Sequence, residues 1–265
     1  YTFGTASLVG AGAGEWLVYV AGGTIVLASF IALFQDNLKR RLAYSTVSQL
    51  SYITIAASLL SPHALMAASL HIAAHAFGKI TLFFAAGSIY TAAHKTNVSE
   101  LDGIGRKMPF TMAAFTIGTL SMIGVPPTAG FISKWYLLQG AWETGYTFVV
   151  VVVVLSTMLN AGYFLPIVYR AFFKAPPKAD HHGELSDADG HFGDHHDLPS
   201  GGHGDHAKPA TPAHGHGHGH GHGDHGEAPL PIVVALTCTA AGTILLFFFP
   251  DLALGLAEQI RRGLP

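Results

Sequence analysis

Apolar residues run along this chain in long blocks separated by short polar turns. A helix that crosses a bilayer needs about 20 mostly apolar residues, and six segments meet or approach that length: 14–35, 43–60, 63–92, 109–142, 146–173 and 229–249. Residues 1–13 are too short to span and read as the end of a loop or of a preceding element. The third segment opens on Ser61-Pro62, an N-cap followed by proline at the first helical position, which marks its start well. The fourth carries Gly124-Val125-Pro126-Pro127-Thr128-Ala129-Gly130 in its middle. Proline removes backbone donors there and glycine relaxes the chain, so the spacing predicts a broken helix. Unpaired backbone at membrane depth is tolerated only inside protein or against a cavity, so the break should point inward. The expected fold class is all-α, a polytopic transmembrane helical bundle.

Basic residues set the expected orientation. Lys39, Arg40 and Arg41 follow the first segment, Lys95, Arg106 and Lys107 the third, and Arg170, Lys174 and Lys178 the fifth. The turns near 60–63 and 142–146 hold no lysine or arginine. This alternation puts the basic loops on the cytoplasmic side and supports the count of spans, with Arg261 and Arg262 outside as a mild violation. Over 175–228 the composition turns to His, Gly, Asp and Pro and includes His214, His216, His218, His220 and His222 alternating with glycine. Such a segment cannot bury enough surface to fold and is expected to be a disordered cytoplasmic loop. The expected organisation is a transmembrane unit of about five spans over 1–174, the His/Gly-rich loop over 175–228, and a terminal transmembrane helix and tail over 229–265.

Composition agrees. Half the residues are hydrophobic and 11% are charged, against about 25% in an ordinary soluble domain, so lipid must be the main solvent. The expected location is a cell membrane, inner or plasma, crossed several times. The net charge of -2 says nothing about partners, and nucleic acid is not indicated. A lone Cys238 in an apolar run excludes a disulfide framework and a Cys-based zinc site. The chain opens on Tyr1 with no initiator Met and no signal-peptide pattern, and is read as a fragment of a longer subunit.

Within these apolar blocks the ionisable residues stand out. His71, His75 and Lys79 follow one another at i, i+4 spacing and share a helical stripe that drifts about 40° per step. A charged side chain at the bilayer centre costs about 2.5 kcal/mol or more and by default marks an ion or proton path. Imidazole both gives and accepts protons near neutrality, and a desolvated lysine releases one more readily, so the trio reads as a relay. One histidine alone would more simply be a neutral packing residue, and a lysine near a span end would snorkel. Lys79 sits deep in its span, and the three together favour function. Lys134, in Gly130-Phe131-Ile132-Ser133-Lys134-Trp135-Tyr136, lies just past the predicted break, where freed carbonyls and water can hold a cation. An interfacial lysine in an aromatic belt with Trp135 and Tyr136 is the equal alternative at this stage. The run Gln35-Asp36-Asn37-Leu38-Lys39-Arg40-Arg41 reads as a cytoplasmic turn, with Asp36 and Lys39 as an exposed pair contributing about 0 to 1 kcal/mol. The histidine tract has the ligand chemistry for zinc, nickel or copper but no fixed geometry. Weak metal buffering at His214 to His222 and a plain solvated linker are balanced readings, and no metal site is assigned.

Three stretches then carry a resemblance: 28–49 (ASFIALFQDNLKRRLAYSTVSQ), 71–79 (HIAAHAFGK) and 124–136 (GVPPTAGFISKWY). Together they resemble the antiporter-like subunits shared by Mrp-type sodium/proton antiporters and the proton-pumping arm of respiratory complex I, and most of all the D-type Mrp subunit. The resemblance covers residues from about 8 to 174 and leaves the His-rich segment outside it. It implies a longer subunit built from inverted repeats, of which this chain holds the second repeat with its broken helix. It also implies that Lys79 and Lys134 are relay lysines and that His71 and His75 are their helical histidines, with other membrane subunits, protons, monovalent cations and lipid as partners and no cofactor. Lys134, where some subunits carry Glu, favours the Mrp D-type or terminal-pump branch.

Competing readings stay open. The same relay could serve complex I or a membrane-bound hydrogenase, where the chain would be a non-catalytic proton-pumping subunit rather than an enzyme in its own right. A divalent-metal transporter is suggested by the histidines, but it needs intramembrane Asp or Glu, and Glu15, Asp36 and Glu143 all fall near span ends. A purely structural membrane subunit would leave Lys79 and Lys134 without a task.

Overall fold

The computed structural model describes residues 12, 14–176, 226–251 and 253–255. The His-rich tract, with His214, His216, His218, His220 and His222, lies outside the described residues. The regular structure within them is helical: α1 Glu15–Leu33, α2 Leu38–Ser58, α3 Pro62–Ala93, a 3₁₀ turn Val98–Glu100, α4 Ile104–Lys107, α5 Pro109–Ile123, α6 Ala129–Glu143, α7 Thr147–Phe173 and α8 Leu230–Phe248. Among the described residues the one β-bridge is antiparallel and isolated, Asn37 with Asn97.

Local chemistry sets the helix ends. Ser61 accepts a hydrogen bond from Ala64 N at 3.1 Å and Pro62 follows it, as the sequence predicts for the start of α3. Helix α2 begins five residues before the expected 43. The reason is Asn37, whose side chain accepts from Arg40 N at 3.1 Å and caps the helix. Lys39, Arg40 and Arg41 therefore form its first turn, and the run read as a loop is mostly helix. Asp36 accepts from Ser99 N and Ser99 Oγ, and Lys39 lies 4.9 Å from the centre of the Tyr90 ring, so the pairing expected between them is replaced by other partners.

The predicted break is present. Helix α5 ends at Ile123, Gly124 takes φ +88°, the Pro126-Pro127 bond is cis, and α6 starts at Ala129. The two halves stay close because Gly130 has no side chain: a Cβ there would be driven into the Ser121 carbonyl oxygen.

Helix α3 is the hub, packing against α2, α5, α6 and α8, while α1 packs on α2 and α7. One apolar cluster, with Leu42, Leu82, Phe115 and Phe164, fills the end where the basic residues gather. A second, with Ile25, Tyr52, Leu137 and Val152, fills the other end. The outside is apolar too: Leu27, Phe30, Phe34, Met158 and Phe173 are all exposed. Such a surface suits lipid and not water. By length and hydropathy α1, α3, α7 and α8 each suffice to cross a bilayer. Helix α2 is long but dotted with polar residues, and α5 and α6 are half-length pieces.

The basic end is stitched by loops. Leu38 N donates to Thr96 O and Val98 N to Asp36 O, while Gly103 N donates to Arg170 O. Asp102 lies 3.8 Å from Arg170 and 3.6 Å from Lys174. Before α8, Glu227 reaches the start of α5 and accepts from Phe110 N at 2.8 Å and from Thr111 Oγ1 at 2.8 Å.

Candidate functional site

Packing turns the stripe of α3 inward. His71 is 4% exposed and Lys79 and Lys134 are each 5% exposed, so neither lysine snorkels to a surface. Trp135, next to Lys134, is 52% exposed and points out. The aromatic belt reading therefore fits Trp135 and fails for Lys134.

Lys134 reaches back across the break. Its Nζ donates to Ile123 O at 2.7 Å and Met122 O at 3.0 Å, and lies 3.5 Å from Thr157 Oγ1 of α7. Those carbonyls belong to the last two residues of α5, where a helix leaves acceptors without intrahelical donors and its dipole is negative. A cation is the natural partner. The Nζ also stands 5.2 Å from the centre of the Tyr52 ring, on its electron-rich face. Two amides converge on the same carbonyl: Asn160 Nδ2 donates to Met122 O at 3.3 Å and Gln49 Nε2 at 3.4 Å.

One residue before Lys134, Ser133 Oγ lies 2.9 Å from His71 Nδ1 and donates to Gly130 O at 3.0 Å. With its proton given to Gly130, the hydroxyl accepts from His71, which puts the imidazole proton on Nδ1. The His71 ring is 5.4 Å from Tyr52 and 6.3 Å from His75, centre to centre. Lys79 is held separately: its Nζ donates to Leu42 O of α2 at 2.9 Å and lies 6.0 Å from the centre of the Phe164 ring. The structure thus joins Lys134, Ser133, His71 and His75 into one neighbourhood and gives Lys79 its own carbonyl. Among the described residues neither lysine has a carboxylate partner.

Around these groups lies a polar lining that the sequence reading did not single out. Ser29 joins Ser48 at 2.8 Å and Ser156 at 3.4 Å, and Tyr163 Oη donates to Asn160 Oδ1 at 2.6 Å. Ser45 Oγ, Gln49 Oε1, Tyr52 Oη, Ser121 Oγ, His71 Nε2 and His75 Nε2 are buried without a hydrogen-bond partner among the described residues. Unpaired polar atoms are costly in an apolar interior and are usually retained for a reason. The available signal was on α2, where Ser45, Ser48, Gln49 and Tyr52 recur three and four residues apart and all are buried. Arg41, read as a topology residue, is buried as well and donates to Gln35 O and Tyr163 O, each at 2.8 Å. No group of three or more His, Cys, Asp or Glu side chains is placed to hold a metal among the described residues.

Comparison with known proteins adds a family. The family model described as NADH:quinone oxidoreductase/Mrp antiporter, transmembrane, matches residues 5–160. NADH-quinone oxidoreductase subunit N of Desulforudis audaxviator is 43% identical over 162 residues, 61% of this chain and 32% of its own length. A probable K(+)/H(+) antiporter subunit of Rhizobium meliloti is 37% identical over 176 residues, 64% of this chain and 18% of that protein. Among solved structures, the Mrp complex from Dietzia sp. DQ12-45-1b superposes with a TM-score of 0.71 at 21% identity, over 95% of this chain and 47% of the other. The membrane-bound sulfane sulfur reductase, an archaeal respiratory membrane complex, gives a TM-score of 0.69 at 22% identity, over 94% of this chain and 42% of the other. At such identities the structural likeness speaks for the fold alone. This chain spans about a third or less of the length of these two curated relatives.

Proposed function

This chain belongs to the NADH:quinone oxidoreductase/Mrp antiporter transmembrane family, and from that premise we propose that it relays protons across a membrane as part of a monovalent cation/proton antiporter, in the manner of a D-type Mrp subunit. The observation that carries the reading is Lys134: an ammonium inside the bundle, 5% exposed, held by two carbonyls at a break in a helix and, among the described residues, by no carboxylate. Such a group can gain and lose a proton without leaving its seat.

The geometry supports these steps. A proton on Lys134 is stabilised by Met122 O and Ile123 O, and one on Lys79 by Leu42 O. His71, fixed by Ser133, and its neighbour His75 stand on the α3 stripe between them. Their unpartnered Nε2 atoms, with Ser45 Oγ, Gln49 Oε1 and Tyr52 Oη, are the groups to which water would bond along the path. Charge arriving at one lysine destabilises charge at the other by Coulomb repulsion, which is strong where the dielectric is low. The driving energy is an ion gradient across a cell membrane. In this reading the basic end faces the cytoplasm, and so does the His-rich segment, whose histidines serve as a linker or weak metal buffer. Neighbouring membrane subunits complete the path.

A second reading changes only the driver. The 43%-identical relative is a subunit of NADH-quinone oxidoreductase, which favours a proton-pumping subunit driven by redox chemistry elsewhere in a complex.

The test is sodium-, potassium- and proton-linked flux in everted vesicles carrying the full-length parent protein with its partner subunits, comparing Lys134→Ala with wild type at equal expression. Loss of cation-driven proton movement in the variant is expected. Unchanged flux would remove Lys134 from the path, and a wild type indifferent to cations would leave the redox-driven reading.

A further inference from the structure

Two buried primary amides need a reason to be there. Gln49 on α2 and Asn160 in the valine-rich α7 are both 0% exposed, and an amide taken from water into an apolar bundle must find hydrogen bonds. Both turn to the same acceptor, Met122 O, at 3.4 Å and 3.3 Å, and there they meet Lys134 Nζ at 3.0 Å. A carbonyl oxygen has two lone pairs. Three donors therefore compete for it. The Asn160 amide is oriented by its other end, since Oδ1 accepts from Tyr163 Oη at 2.6 Å and leaves Nδ2 to face Met122. Gln49 is held more loosely, by one long bond, and its Oε1 has no partner.

We infer that Gln49 and Asn160 are positioning residues for Lys134, stand-by donors that keep the Met122 carbonyl satisfied while the lysine lets its proton go. An ammonium has three N–H donors, and Lys134 has three acceptors in reach, Met122 O, Ile123 O and Thr157 Oγ1. A neutral amine has two. On release two N–H groups remain for these three acceptors and the positive charge at the end of α5 is gone, so charge-assisted bonds to the carbonyls become weaker neutral ones and the carbonyls resist that loss. With the amides already on Met122, the neutral amine need keep only Ile123 O. Release becomes easier, and the amides set the pH at which it happens. The inference rests on the reading of Lys134 as a proton carrier. Among the described residues the titratable groups beside it are Tyr52 from α2 and His71 from α3, which both substitutions leave in place, while Asn160→Leu also takes the acceptor from Tyr163 and Gln49→Met does not.

The sign is definite. Without the amides Met122 O depends on Lys134 alone and is held best by its charged form, so a higher pH is needed for release. The experiment is proton flux against pH in everted vesicles containing the full-length parent and its partner subunits, for wild type, Gln49→Met, Asn160→Leu, the double variant and Lys134→Ala. The midpoint of the profile is expected to move alkaline by about one pH unit, a tenfold loss at fixed pH on the acidic limb, and further in the double variant. A midpoint that stays in place while Lys134→Ala abolishes flux overturns the inference and leaves the relay intact. Flux that survives Lys134→Ala removes the relay reading itself, which is a different failure. Should Asn160→Leu fail to assemble, the near-isosteric Gln49→Met decides alone, because its amide makes only one long bond.

Discussion

Lys134 is buried because a helix end beside it has carbonyls that need a cation, and that need depends on one glycine. Gly124 takes φ +88°, a region where a Cβ costs about 1–2 kcal/mol, and a Cβ there would stand 2.8 Å from Lys134 Cδ. Gly124→Ala should therefore lower proton flux more than it lowers the thermal stability of the purified protein. Flux and unfolding temperature measured on the same preparation check this, and an equal loss in both would place the effect in folding. At this scale the sequence showed its charges and hid its neutral polar groups. Lys79, Lys134, His71 and His75 stand out in apolar runs because ionisable residues there are expensive. Gln49, Asn160 and Ser133 do not, because a lone Ser, Thr or amide in a membrane helix has a cheap local solution. Thr24 donates to Val20 O and Ser51 to Val47 O within their own helices. Only burial and a partner on another helix separate Ser133 from Ser51, and neither is written in one dimension.

At the scale of elements, helix ends with a cap or a proline were legible and ends set by tertiary contacts were less so. Ser61-Pro62 and the break from Gly124 through Pro126-Pro127 to Gly130 gave α3, α5 and α6. The start of α2 was misplaced because a basic triplet reads as a loop, although Asn37 caps it and Arg41 finds carbonyl partners inside the bundle. The loop that follows α3 makes a pH prediction. Glu100 accepts from Asn97 N and Thr96 N as well as from the Asn97 side chain, and these bonds hold its carboxyl below the ordinary 4.5. A depressed carboxylate lends stability above its unfolded pKa and loses it as pH falls through the folded one. The difference in unfolding temperature between wild type and Glu100→Gln should be small but present at neutral pH, and should vanish well below pH 4.5. A difference that persists in acid would assign it to packing.

For the whole molecule, composition and apolar blocks were enough for an all-helical membrane bundle, while the central place of α3 was not, since every apolar block looks equally buried before packing. Orientation is a statement at this scale. Lys39, Lys95 and Arg170 all belong to one end, stitched together by the bridge between Asn37 and Asn97 and by the bond from Gly103 to Arg170. In a cysteine-free background of the full-length parent, Cys238→Ala included, Lys95→Cys should react with a membrane-impermeant thiol reagent in everted vesicles, and Thr144→Cys should not. The reverse pattern would invert the topology.

Helix α5 has one more consequence. It is 15 residues long, roughly 22 Å from end to end, and it has a carboxylate at its start and an ammonium at its finish, Glu227 on the N–H groups of the first turn and Lys134 on the last carbonyls. Its own dipole is aligned with both. The half-helix is in effect a dielectric rod clamped between two oppositely charged plates, and discharging the plate at Lys134 slackens the grip at that end while Glu227 still holds the other.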